Sequence, residues 1–261
     1  MSQTSAKQLI KNAAQEGLLT AGATKALNVV DIGAEIEAAL GVDVDNVQSS
    51  EVILVSQMPD DSDSIRFAGN TQNVRDGHNE VIEALRETKQ ADSILAHTRY
   101  LNGFILFPYQ PIAQAVLMDQ NNYDPNMGTP LYDQTVVLLG TVLAKAQAFA
   151  DNGVPVRTIT LIISDGADQG SHRSTPKDCA KIVADMLKSE NHIVASMGID
   201  DGSTDFRRVF GEMGIPDEWI ITPKNDKHSI RQAFRMFSQS AVRASQSAAN
   251  FSKLQVGGFG S

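Results

Sequence analysis

From residue 51 onward, short apolar, β-branched runs alternate with longer stretches of helical spacing, the pattern of βαβ units on a mainly parallel sheet. The spacing predicts strands at Val52 to Gln57, Ser93 to Tyr100, Gly103 to Phe107, Thr158 to Ser164, His192 to Gly198 and Trp219 to Thr222. Helices are predicted at Asn73 to Glu87, Leu131 to Asn152, Thr175 to Ser189, Phe206 to Met213 and Ser229 to Ser245. The short link between the second and third strands suggests a hairpin with one antiparallel edge strand. The run LIIS at 161–164 is apolar on both faces, which suits a central strand covered by helices on each side.

Residues 1–48 read differently, as helical patterns broken at glycines. Ser5 to Gln8 resembles a capping box, Leu9, Ile10, Ala13 and Ala14 form a stripe, and a second helix is expected from Asp31 to Leu40 with Gly41 as its stop. Such short helices are not stable alone. They are expected to form an appendage on a main domain at 49–245, and deleting residues 1–45 is expected to spare any site there. The tail at 246–261 is rich in Ser and Gly without periodicity and is expected to be flexible, with Phe251, Leu254 and Phe259 as docking residues in the alternative.

Net charge is −9 and the pI near 5.0, whereas nucleic-acid binders carry a basic face or stripe, so nucleic acid and anionic membranes are unlikely partners. No apolar run approaches the roughly 18 residues of a membrane span. The first residues lack the apolar core of a signal peptide, so a cytoplasmic protein is expected. The single cysteine, Cys179, has no partner for a disulfide or zinc cluster and sits in a helical pattern as a small buried residue. None of the histidines, at 78, 97, 172, 192 and 228, is paired with another at ligand spacing.

Ligands of doubly wound sheets bind beyond the carboxyl ends of the strands. Three segments there carry oxygen-bearing side chains: Asp60-Asp61-Ser62-Asp63-Ser64 after the first strand, Gly128-Thr129-Pro130-Leu131 before a long helix, and Ser164-Asp165-Gly166-Ala167-Asp168 after the central strand. Hard oxygen donors without histidine or thiolate suit Mg²⁺ or Mn²⁺. A metal held largely by hydroxyls keeps positive charge to spare and attracts a carboxylate from another molecule. Taken singly, each segment also reads as a turn or helix cap, with Ser62 or Ser64 capping one helix and Thr129 another.

In order, the three segments resemble the metal-ion-dependent adhesion site of von Willebrand factor A domains: D-x-S-x-S, a later threonine, and an aspartate in a D-G turn. The resemblance covers roughly residues 50–240. It implies a Rossmann-like, doubly wound α/β sheet in which Ser62, Ser64 and Thr129 coordinate Mg²⁺ (or Mn²⁺ or Ca²⁺) directly and Asp60 and Asp165 do so directly or through water. Asp63 departs from the pattern, standing where the family usually has glycine, and Pro59 implies a strand that ends early or bulges. G-T-P-L-Y-D and S-D-G are similar to the family's bacterial intracellular members, which implies a non-enzymatic adaptor. The implied partner is a protein offering an Asp or Glu, such as a MoxR-type AAA+ ATPase or a kinase or phosphatase.

The same first segment also resembles the start of haloacid dehalogenase-type phosphatases. That alternative makes Asp61 the nucleophile and Asp63 the acid and base, with Ser164, Lys177 or Lys181, and Asp200-Asp201 as later motifs; it gives Thr129 no task.

Overall fold

A computed structural model describes residues 4–29, 31–246, 249 and 251–260. The main body runs β1 (Val52–Met58), α4 (Asp63–Phe67), α5 (Thr71–Arg86), β2 (Ile94–Arg99), β3 (Ile105–Pro111), α6 (Leu131–Ala150), β4 (Val156–Ser164), α7 (Pro176–Lys188), β5 (His192–Gly198), α8 (Phe206–Glu212), β6 (Ile220–Ile221) and α9 (Lys227–Gln246). Ahead of it lie α1 (Ala6–Gln15), α2 (Ala21–Leu27) and α3 (Ile32–Glu37), and behind it α10 (Phe251–Gly257).

The strands form one six-stranded sheet in the order β3-β2-β1-β4-β5-β6. All neighbours are parallel except β2 and β3, so the fold is α/β, doubly wound, with the expected antiparallel edge. Both faces of β1 and β5 are buried along their whole length, which is why their sequences read as apolar runs rather than alternating ones. The chain winds outward from β1 through β2 to β3, then returns through α6 to β4 on the other side of β1. That reversal puts a topological switch point between the carboxyl ends of β1 and β4, where such sheets open a ligand crevice.

The N-terminal helices belong to the same core as the sheet. Leu9, Ile10 and Ala13 of α1 and Ile32 and Ile36 of α3 are buried in one apolar cluster with Val137, Leu138 and Leu143 of α6. A helix apolar all round must be covered all round, and α6 is sandwiched between the sheet and these helices. Deletion of residues 1–45 therefore uncovers α6 rather than trimming an independent appendage. Beyond α3, Tyr109 on the outer edge of β3 donates to Ala39 O at 3.0 Å and accepts from Val42 N at 2.8 Å, which closes that part of an otherwise open edge. Gly41 lies between, at φ +61°, where a Cβ would come within 2.0 Å of Tyr109 O. Half of the expected capping box forms, with Ser5 Oγ accepting from Gln8 N at 3.4 Å.

The tail departs from expectation. Over its described residues it forms α10, buries Phe251 and Phe259, and packs Phe259 against Trp219 with ring centroids 5.0 Å apart. Trp219 Nε1 donates to Gln255 O at 2.6 Å, and Gln255 Nε2 donates to His192 O at 2.9 Å. These are long-range contacts of scattered side chains, which leave no periodic trace in sequence. The part of the expectation that falls on Ser247, Ala248, Asn250 and Ser261 lies outside the described residues.

His192, at the start of β5, is buried with Nδ1 2.7 Å from Thr158 Oγ1, and burial pulls its pKa down to about 4. The unfolded chain takes up this proton near pH 6.5 and the folded one only near 4, so folding stability falls with pH across that window. Compared with His192→Gln, the wild type is expected to lose about 2 kcal/mol more on going from pH 7 to pH 5. Urea titrations of both proteins at the two pH values measure the difference, and equal losses contradict it.

Candidate metal centre

The loop after β1 is shaped by its own polar groups. Pro59 has no amide hydrogen to continue the ladder. Asp60 Oδ1 then accepts from Ser62 N at 2.8 Å, a short Asx turn that redirects the chain, and Tyr123 donates its hydroxyl hydrogen to Asp60 O. The other oxygen, Asp60 Oδ2, takes Ser164 Oγ at 2.9 Å and Asp165 N at 3.2 Å. The carboxylate of Asp60 thus ties the ends of β1 and β4 together across the switch point.

Ser62 occupies the N-cap position of α4, yet its side chain makes no capping hydrogen bond. Its hydroxyl instead lies 2.8 Å from Ser64 Oγ and 3.4 Å from Asp165 Oδ1, and Ser64 Oγ donates to Asp165 Oδ1 at 2.5 Å. The Gly128–Leu131 segment is pinned by backbone pairing: Thr129 and Gln169 exchange amide hydrogen bonds of 3.3 and 2.8 Å, and Asp63 N donates to Met127 O at 3.1 Å. Pro130, not Thr129, precedes α6 as its N-cap, and Thr129 Oγ1 has no hydrogen-bond partner among the described residues. The helix-capping alternative accounts for neither the Ser62 nor the Thr129 hydroxyl.

Ser62, Ser64, Thr129 and Asp165 line one open depression at the carboxyl edge of the sheet, with Asp60 buried beneath. Burial pushes the carboxyl of Asp60 upward against the hydrogen bonds it accepts. Burial, then the Asp60 charge, lifts Asp165 to about 6, opposed by the hydroxyls of Ser64 and Ser62. No lysine, arginine or histidine is among the described residues lining the depression. Two desolvated carboxylates without a facing cation, joined by three hydroxyls, form a donor set suited to a hard divalent ion, which would supply the missing positive charge. Among the described residues no group of three or more His, Cys, Asp or Glu assembles, so the set is hydroxyl-rich rather than a carboxylate cage.

The phosphatase alternative fails on geometry. Asp61 does not line the depression and accepts from Asn102 N at 3.0 Å, while Asp63 borders it half-buried and is ion-paired with Arg66. Lys181 pairs with Asp178 on the surface of α7, and Lys177 is exposed. Asp168 and Asp133, the latter in the first turn of α6, organise the neighbouring loops. Asp168 accepts from Tyr132 N at 3.2 Å, and Asp133 accepts from the amides of His172, Arg173 and Ser174 at 2.7–3.0 Å. Asp201, Ser203 and Thr204, in the loop after β5, also line the depression, although in sequence this loop has a role only in the phosphatase alternative. The signal available was another Asp-Ser-Thr cluster directly after a strand.

No family model and no curated protein matches the chain. In shape it is similar to the pilus adhesin SpaC from Lactobacillus rhamnosus GG in its open conformation, with a TM-score of 0.54 and 11% identity over 75% of this chain and 30% of the adhesin. It is also similar to proximal thread matrix protein 1 from the mussel byssus (TM-score 0.48, 12% identity, 74% of this chain and 47% of that one). A von Willebrand factor type A structure from Catenulispora acidiphila aligns at TM-score 0.45 and 14% identity over 75% of this chain and 43% of that one. The fold is a doubly wound α/β sheet, mostly parallel, with one antiparallel edge strand. At 11% identity the likeness to the adhesin extends to the fold alone, and this chain spans less than a third of the adhesin's length. Among the described residues no helix is long and apolar enough to cross a membrane.

Proposed function

We propose that this chain is a metal-dependent protein-interaction module. Ser62, Ser64 and Thr129 would hold Mg²⁺, with Mn²⁺ or Ca²⁺ as substitutes, and Asp60 and Asp165 would bind it directly or through water. An ion so held retains an outward position for the Asp or Glu of a partner protein. The observation that carries this reading is the pair of hydroxyls, Ser62 and Thr129, that stand at helix starts without capping them and border the depression beside Asp165.

The same reading makes the chain a cytoplasmic adaptor, with a MoxR-type AAA+ ATPase or a kinase or phosphatase as its partner. The test is capture on immobilised protein. The wild type is expected to retain a partner in Mg²⁺ and release it in EDTA, and Thr129→Ala to retain much less of that same partner. Capture that ignores both the chelator and the mutation contradicts the metal bridge and leaves a passive scaffold.

A further inference from the structure

The surface around the candidate ion is unusual in two respects. Phe67, Phe104 and Met127 are 79%, 58% and 48% exposed, and all three lie on loops or helix ends at the carboxyl edge of the sheet. Met127 lines the depression itself. Its amide and carbonyl hold Asp61 O and Asp63 N, which sets it against the start of α4, and Phe67 stands one helical turn beyond Asp63. Phe104 stacks on Tyr100 with centroids 5.8 Å apart, and Tyr100 packs on Tyr123, whose hydroxyl reaches Asp60 O. Large apolar side chains gathered at one edge mark an interaction surface more than singly scattered ones do.

The second respect is charge. Asp63 is matched by Arg66, but Asp200 and Asp201, in the loop after β5, are exposed and form no ion pair among the described residues. Asp201 borders the depression. The rim therefore carries exposed apolar side chains beside the matched Asp63–Arg66 pair on the α4 side, where the Arg66 guanidinium lies 5.2 Å from the Phe67 ring centroid, and unmatched negative charge on the β5 side.

We infer that the partner segment carries its metal-binding carboxylate between a bulky apolar residue, which covers Phe67 and Met127, and a lysine or arginine, which meets Asp200 and Asp201. The inference rests on the metal reading above and adds the partner's chemistry to it. Charge complementarity of this kind sets orientation and choice of partner more than raw affinity, and the apolar anchor supplies the affinity.

The test selects from displayed seven-residue peptides with a fixed central Asp or Glu and all other positions random, on wild-type protein in Mg²⁺. Enriched peptides are expected to carry a large apolar residue and a Lys or Arg flanking the acid. Phe67→Ser is expected to weaken those peptides about tenfold or more by fluorescence anisotropy, while its Mg²⁺-dependent melting shift stays that of the wild type. Asp201→Asn is expected to reduce the preference for the basic residue. A normal Mg²⁺ shift with no enrichment, with enrichment that lacks either flank, or with full affinity in Phe67→Ser overturns the proposed rim and leaves the metal reading standing. An absent Mg²⁺ shift in the wild type removes the metal reading, and the rim falls with it.

Discussion

Asp60→Ala is expected to lose the whole of the Mg²⁺-dependent stabilisation of the wild type. Its carboxylate is buried under the depression, and it joins Ser62 N, Ser164 Oγ and Asp165 N across the ends of β1 and β4. Removal takes away a carboxylate beside the ion and the brace that keeps the Ser62 and Asp165 loops together. Without metal the net change is smaller and of mixed origin. Three donors lose an acceptor, at about 1–3 kcal/mol for each one left buried and unpaired, while a desolvated charge beside Asp165 is relieved. The diagnostic quantity is thus the metal-dependent part of the melting temperature, not its starting value. Asp217→Ala is the control: its side chain is exposed, paired with Arg207 and outside the depression, so the Mg²⁺ response should persist. A full response in Asp60→Ala contradicts the assignment.

Glu35→Ala is expected to destabilise the protein by about 3 kcal/mol, the low end of the cost of breaking a buried ion pair, because Glu35 keeps 29% of its side chain exposed. Glu35, on α3, stands between two arginines. Arg99, fully buried at the end of β2, lies 3.6 Å away, and Arg173 binds the other carboxylate oxygen closely. Arg99 has little else: Gly103 O at 3.3 Å takes one nitrogen, and Nε and Nη1 have no partner. Burial pulls the Arg99 guanidinium down to about 10, opposed by Glu35 and reinforced by Arg173, so removing Glu35 leaves two cations facing each other. For a chain of this size the loss corresponds to a melting temperature lower by roughly 6–12 °C. Scanning calorimetry measures it, and a shift within a degree or two contradicts the pairing. The change reaches the functional edge as well, because Arg173 also faces Asp133, which holds the amides of residues 172–174 beyond the Asp165 turn.

What the sequence made legible, and what it did not, divides by the range of the interactions involved. β1, β4 and β5 were readable because each is a largely apolar run buried on both faces, and α5 and α7 because their apolar positions recur at helical spacing. β6 shrank to Ile220–Ile221, and β3 extended to Pro111. The metal candidates were readable as three separate loops, and the strand order brings them to one rim. α2 escaped notice because AGATKAL carries small residues with little contrast between its faces; it is held by Thr20 as N-cap and by packing on α7. The docked tail, the cover of β3 by residues 39–42 and the ion pairs of Glu35 all join positions far apart in the chain. No local pattern records such contacts. The Asp201 loop is visible in sequence as an Asp-Ser-Thr cluster, but its place on the rim depends on β5 lying beside β4.

The most direct test of the central claim is the melting temperature of wild type and Thr129→Ala against rising Mg²⁺ and Mn²⁺. A ligand that binds only the folded state stabilises it by RT ln(1 + [L]/Kd), about 2.7 kcal/mol at 100 times Kd. The hydroxyl of Thr129 has no partner among the described residues and caps no helix, so its removal is expected to leave the metal-free protein nearly unchanged and to cut the metal-dependent gain sharply. Equal gains in both proteins, or no gain in either, would contradict the account.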